Sequence, residues 1–337
     1  CVASARKVEV CEAHPDTPSA PAADLARPAF RTVTMFELVN AELPPRQSLL
    51  APWLYEQGLA QVHAWRGTGK THFSLGVAYA VASGGTFLRW GAPKPRRVLF
   101  LDGEMPAVAL KERLAAVLAA DDRDVDVNGE NLRFITPDLL EGAPPDLADA
   151  EDQAALQDII AQYDPALIVV DNISTLVRSG GAENDAESWL PVQGWALNMR
   201  RQGRAVLFVH HSGKGGRQRG TSKREDVLDT VIALKRPEPY NPADGARFIV
   251  EFEKGRHVKG DGAQAFEAHL TADVHGRQVW ATKTLDDSTL DRTIALYRDG
   301  LTGVRDIAAE LGVAPSTVSR ALKKAKAAGT IEPERVI

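Results

Sequence analysis

The stretch Ala64-Trp65-Arg66-Gly67-Thr68-Gly69-Lys70-Thr71 constrains this chain more than any other. Before it, the apolar run Leu59 to His63 reads as a short buried strand. After it, Phe73, Leu75, Val77, Ala78 and Val81 repeat at helical spacing. A glycine-bearing turn between a buried strand and a helix is the setting of a phosphate-binding loop. Gly67 and Gly69 let the backbone curl so that its N–H groups face phosphate oxygens. Lys70 reaches the β- and γ-phosphates in such a loop, the Thr71 hydroxyl holds Mg²⁺, and the following helix N-terminus adds its dipole. Ala64 stands where the pattern has its first glycine; that costs backbone freedom but leaves the cradle intact. The candidate nucleotide contacts are Ala64, Arg66, Gly67, Thr68, Gly69, Lys70, Thr71 and His72.

The 337 residues have room for one α/β domain and a smaller module. A hydrophobic fraction of 44% beside 25% charged residues is that of a soluble globular protein, and no apolar run approaches a membrane span. Cys1 and Cys11 are too few for a disulfide framework, which points to a reducing cytoplasm. The first residue is Cys, with no signal-peptide pattern behind it, so the expectation is a domain cut from a longer polypeptide. Net charge is −5, so nucleic-acid binding has to be local rather than a property of the global field.

Residues 1–31 are rich in Ala and Pro and read as a linker or poorly ordered leader. From Phe36 to Tyr55 a short helix and an apolar approach are expected to pack over the nucleotide domain. Arg97 to Leu101 is a second buried strand, ending in Asp102-Gly103-Glu104. Polar residues at the carboxyl end of such a strand sit where α/β sheets bind ligands. Glu104 is the candidate base for the attacking water; its alternative role is a helix-capping acid, for which Asp102 is better placed. Leu132 to Ile135 is a shorter strand and residues 151–163 a helix. Ala166 to Val170 is a buried strand ending in Asp171, the acid that holds a water on Mg²⁺ opposite Thr71 when paired with a phosphate loop.

A helix bears Trp189, Leu190, Trp195, Leu197 and Met199, and its aromatics at helical spacing read as core. Ala205 to His211 is another buried strand. The basic loop after it carries Lys214, Arg217, Arg219, Lys223 and Arg224; it is either a solvated loop or one that tracks phosphates along a nucleic-acid channel. Two strands, Val227 to Leu234 and Ala246 to Phe252, flank a proline-rich turn. The second ends in Lys254-Gly255-Arg256, two cations that are either solvated or reach a neighbouring subunit's nucleotide. Phe266 to Leu270 and Gln278 to Ala281 complete the sheet edge. Near the C-terminus, Ala308, Gly312, Pro315 and Val318 fall at helix-turn-helix spacing. Ser316, Thr317, Ser319 and Arg320 then face a groove, while Lys323, Lys324 and Lys326 meet phosphates, and Gly329-Thr330-Ile331 begins a wing. The alternative is a helical packing module without DNA contact.

The assembled motifs resemble the RecA-like ATPases, specifically the RepA-type plasmid and phage replicative helicase branch, cousins of the DnaB-type hexameric helicases. The resemblance covers Arg31 to Leu285. It rests on GTGKT, DGEMP (Asp102 to Pro106), LIVVDN (Leu167 to Asn172), VHHSGKGG (Val209 to Gly216), RGTS (Arg219 to Ser222) and KGR (Lys254 to Arg256). It implies an α/β core with a mostly parallel sheet (residues 32–285); the helix-turn-helix spacing beyond it reads as a small all-α, winged-helix-like domain (286–337). The resemblance also implies ATP with Mg²⁺, Glu104 as catalytic glutamate, Asp171 as Walker B acid and His211 as sensor of the γ-phosphate. Lys254 and Arg256 become a basic finger pair acting in trans, with Arg219 a rival, in a homo-oligomeric, hexameric ring around single-stranded DNA. Related cores are fused to primase modules, so a fused or associated primase is a further implied partner. A DNA-translocating helicase, an ATP-switched DNA-binding regulator or loader, and a recombination or repair ATPase all fit these residues.

Overall fold

The computed structural model describes residues 31–123, 130–179, 189–213, 225–238 and 240–331. The expected leader lies almost wholly outside the described residues. So do the basic-loop residues Lys214, Arg217, Arg219, Lys223 and Arg224. The chain divides into two units, residues 1–45 and 46–337.

In the first unit, α1 (Met35–Val39) is held by its own ends: Thr34 and Glu37 form a reciprocal capping box. None of its residues is buried, and Met35, Phe36, Leu38 and Val39 are exposed. The burial expected from Phe36 onward is not found in α1, because a helix of one turn closed by its caps needs none to form. Burial begins at Leu49 and Leu50.

In the second unit, β1 (Ser48–Leu50) pairs with β2 (Leu54–Tyr55) ahead of β3 (Leu59–Ala64) and α2 (Lys70–Ser83). A small hairpin that the sequence reading missed, β4 (Thr86–Phe87) and β5 (Trp90–Gly91), precedes β6 (Val98–Asp102) and α3 (Ala107–Ala119). Then come β7 (Leu132–Ile135), α4 (Ala150–Tyr163), β8 (Leu167–Asp171), the short α5 (Ile173–Leu176), α6 (Leu190–Arg201) and β9 (Ala205–His211). Last are β10 (Thr230–Lys235), β11 (Arg247–Gly255), β12 (Phe266–Ala272), β13 (Gln278–Thr284), α7 (Leu285–Arg298), α8 (Val304–Leu311) and α9 (Pro315–Ala327).

Nine strands form one sheet in the order β13-β12-β11-β10-β3-β9-β8-β6-β7. The run from β10 to β7 is parallel, and β11 to β13 extend it antiparallel at one edge. Its central strands are continuous apolar runs because both faces are covered. Alternation sorts them: Val98, Phe100, Leu167, Val169, Leu207 and Val209 join Phe73, Leu75 and Val81 of α2 in one core. Leu99, Leu101, Ile168, Val170, Val206 and Phe208 join Ile160 of α4 and Trp195 and Met199 of α6 in the other. The expectation that the aromatics near Trp189 are core holds, with Trp189 only 1% exposed.

Helices α7, α8 and α9 build a third cluster around Ile307, Leu311, Val318 and Leu322. Gly312 ends α8 in the left-handed region (φ 63°), where a side chain would be strained, and this turns the chain sharply into α9. Pro315 occupies the first turn of α9, as read from the sequence. The fold is thus a mixed, mostly parallel α/β core followed by a helix-turn-helix module.

Candidate nucleotide site and nucleic-acid face

The carboxyl ends of β3, β6, β8 and β9 converge on one edge of the sheet, and the cleft there has a volume of about 850 Å³. Register brings the pieces together: Asp102 lies opposite Asp171, and Ala64 opposite His211. Strand β9 stands between the phosphate-loop strand β3 and the acid-bearing strand β8. The loop itself turns through Gly67 (φ 72°) and Gly69 (φ 110°). Gly69 is the N-cap of α2 and supplies no side-chain cap, so the first N–H groups of that helix lack the usual side-chain acceptor. A Cβ on Gly69 would also come within 3.0 Å of the Ala246 Cβ. Thr68 Oγ1 is buried with no protein hydrogen-bond partner among the described residues. Such a cradle of unsatisfied donors fits phosphate. Lys70 Nζ donates long bonds to the Ala64 and Trp65 carbonyls (3.4 and 3.3 Å). Burial lowers the Lys70 pKa, while Asp171 and Glu104 oppose that fall. Burial and the neighbouring Arg113 push His72 down to about 4, so it is a neutral ring at pH 7 and not an extra phosphate cation.

Asp171 accepts a hydrogen bond from Ser74 Oγ (2.7 Å), and burial, with Asp102 adding to it, raises its carboxyl to about 6. A buried carboxylate facing a threonine hydroxyl supplies the hard oxygens that Mg²⁺ prefers. Thr71 and Asp171 are the residues that would hold it, and the ion when bound neutralises charge on the phosphates. Glu104 is largely exposed to the cleft. Asn172 Nδ2 donates to its Oε2, and His211 Nε2 lies 3.8 Å from the same oxygen. Asp102 is the turn-holding acid: it accepts from the N–H groups of Glu104 and Met105 (3.3 and 3.1 Å) and from Thr136 Oγ1 (3.0 Å). This separation of work leaves Glu104 free of capping. Ser74 and Asn172 were missed as site residues, although each lies beside a motif, three residues after Thr71 and one after Asp171. Tyr240 also lines the cleft, with the Arg236 guanidinium 4.6 Å from its ring centre and Arg236 Nη2 bonded to the Arg66 carbonyl (2.8 Å).

Lys254 and Arg256 are not brought into this cleft. Lys254 Nζ donates to the Glu225 carbonyl, and Arg256 bonds the Asp226 carbonyl (3.3 Å) and pairs with Asp229 (3.5 Å). On α9, Ser316, Ser319, Arg320 and Lys323 are exposed, while Val318, Leu322 and Ala325 face the core and Thr317 is half-buried. The spacing thus leaves one polar, cationic helix face open. Lys324 is instead tied to Asp287 (3.1 Å), and Lys326 lies 5.9 Å from the Tyr297 ring centre. Neighbouring α7 supplies both the acid and the ring, and the Lys324 pair lies in solvent, where such a pair is weak.

A phosphate cradle, a buried acid beside its threonine and a second acid one strand further define a P-loop ATPase core, here joined to a DNA-binding type of helical module. The family model described as an AAA domain matches residues 25–217, more than half of the chain, and the chain belongs to that family. A model described as winged helix-turn-helix DNA-binding matches residues 294–332. Among solved structures, the KaiC-like protein PH0186 from the hyperthermophilic archaeon Pyrococcus horikoshii OT3 is similar at 15% identity, covering 69% of this chain and 93% of that one, with a TM-score of 0.46. The search of curated proteins gave no match. No described helix is long and apolar enough to cross a membrane.

Proposed function

We propose that the chain is an ATP-driven DNA motor of the RepA-like helicase type, hydrolysing ATP at the cleft and translocating on single-stranded DNA as a ring. The observation that carries this reading is the meeting of Glu104 with Asn172 and His211 beside Lys70 and Asp171. A binding switch needs the cradle but has no use for a base held against a sensor. In this reading the Lys70 amine leaves the loop carbonyls for the β- and γ-phosphates, and the base stacks against Tyr240. Glu104 takes the proton of the attacking water, with Asn172 fixing its carboxylate. His211 registers the γ-phosphate and passes its loss to the segment after β9. Lys254 and Arg256 act on a neighbouring subunit's nucleotide. Steady-state hydrolysis with and without single-stranded DNA tests this. The rate is expected to rise severalfold with DNA and to vanish in Lys70→Ala; slow hydrolysis indifferent to DNA overturns the motor.

A second reading, an ATP-switched DNA-binding regulator, is favoured by the pairing of Lys254 and Arg256 with their own chain. Its DNA contact is the open face of α9, which the motor reading shares. Replacing Arg320 and Lys323 together by Ala is expected to weaken duplex binding on the order of tenfold and to flatten its salt dependence by about two units of slope. Fluorescence anisotropy across a salt series measures both. Unchanged affinity and slope exclude α9 as the contact.

A further inference from the structure

His63 is a fully buried titratable side chain outside the cleft. It is the penultimate residue of β3, one position before the phosphate loop opens. Both ring nitrogens are engaged: Nε2 lies 2.8 Å from Glu253 Oε2 and Nδ1 lies 2.9 Å from Ser212 Oγ. A carboxylate only accepts, so Nε2 carries a proton and donates to Glu253, while Nδ1 and the Ser212 hydroxyl, which can both donate and accept, share the second bond.

The backbone is shaped to make this line. Between β10 and β11 the register steps from Val231 opposite Lys254 to Ile232 opposite Phe252, which leaves Glu253 as the extra residue of a bulge. A bulge re-aims a side chain, and here the carboxylate reaches past β10 to the ring on β3. At the other end, Ser212 directly follows His211, and its N–H donates to the Ala64 carbonyl (2.9 Å), the same oxygen that Lys70 Nζ bonds. The line therefore runs from the residue before the basic pair Lys254 and Arg256 to the residue after His211. Serine, histidine and glutamate in a row are also the parts of a nucleophilic triad, but His63 has no exposed surface and Ser212 is 7% exposed, so no substrate reaches them.

We propose that His63 is a positioning residue for ATP hydrolysis: by holding Ser212 and being held by Glu253, it sets where His211 stands against Glu104 and couples that position to the basic end of β11. This rests on the hydrolytic reading of the cleft. It differs from a polar pair that merely satisfies a buried ring, because it acts on the chemical step and leaves the phosphate cradle as it is.

The test compares Glu253→Ala, Ser212→Ala, their double variant and Ser212→Thr, which keeps the hydroxyl, with Lys70→Ala as control. The two single variants are expected to lose on the order of tenfold in kcat, since small misplacements at a reacting centre are costly. KM for ATP and the affinity for ADP stay within twofold, and thermal melting shows that each variant is folded. Ser212→Thr recovers most of kcat. The double variant is no slower than the worse single one, because both act through one ring. Single variants with kcat within twofold of the unaltered protein overturn the proposal, as do additive losses that move kcat and ADP affinity together. If the unaltered protein shows no hydrolysis that Lys70→Ala removes, the hydrolytic reading itself has failed. Hydrolysis that Lys70→Ala abolishes but Glu253→Ala and Ser212→Ala leave intact dismisses the role of His63 alone.

Discussion

Glu104→Gln is expected to lower kcat for ATP hydrolysis by 10²- to 10⁴-fold, on the order that loss of a positioned general base costs, with ATP binding retained. The substitution keeps the side chain's length and can still accept the Asn172 amide hydrogen, so the turn held by Asp102 stays as it is. What disappears is the carboxylate that takes a proton from water. Affinity is set elsewhere, by the Gly67 to Thr71 cradle and Lys70, so binding of a fluorescent ATP analogue should be unchanged within about twofold. The variant should accumulate as an ATP-bound form, which quench and separation of the bound nucleotide would show. A kcat within threefold of the unaltered protein would remove Glu104 from the mechanism and point to a binding switch.

Asp171→Asn should act in opposite directions on activity and on stability. Hydrolysis should fall by at least 10²-fold, because the amide cannot carry the charge that holds a magnesium-bound water. The nucleotide-free protein should nevertheless become more stable at neutral pH. Burial lifts the Asp171 carboxyl to about 6 from its ordinary 3.8. The unfolded chain therefore releases that proton near pH 4, whereas the folded chain keeps it until about pH 6. Folding is not penalised below pH 4; stability is lost as the pH rises from about 4 to 6, and the whole cost stands above that. Two units of raised pKa correspond to about 3 kcal/mol. The asparagine carries no charge to desolvate and can still accept from Ser74. Melting in a chelator at pH 7.5 should rise by several degrees over the unaltered protein, and the difference should fade toward pH 4. A lower melting temperature for the variant at pH 7.5 would mean that the carboxylate is stabilised in the fold after all.

These two acids show how much was legible beforehand. Asp171 ends one apolar run, and Glu104 stands two residues past Asp102, which ends another; in a chain with GTGKT, polar residues at such strand ends are where a site is expected. Asp171 and Glu104 could therefore be singled out without knowing their surroundings. The same holds for α9, where Val318 and Leu322 at helical spacing already separated an inner face from the outer one carrying Ser319 and Arg320. Lys324 and Lys326 show the limit of that reading. Their charge is written in the chain, but Asp287 and Tyr297 come from a helix more than twenty-five residues earlier, and nothing local says that they meet.

What the amino-acid order settled alone is whatever depends on contiguous residues: the phosphate loop, the buried strands on both faces of a sheet and the helix-turn-helix. Backbone curvature and hydrophobic periodicity are local properties, and a short window contains them whole. The tertiary structure decided what depends on strands distant in sequence coming side by side. It set β9 between β3 and β8, put Asn172 against Glu104, and drew Lys254 and Arg256 onto the carbonyls of residues 225 and 226. It also joined Glu253 to Ser212 through His63. Hydrogen bonds act over about 3 Å, and only the packed sheet brings residues separated by 149 and 190 positions to that distance.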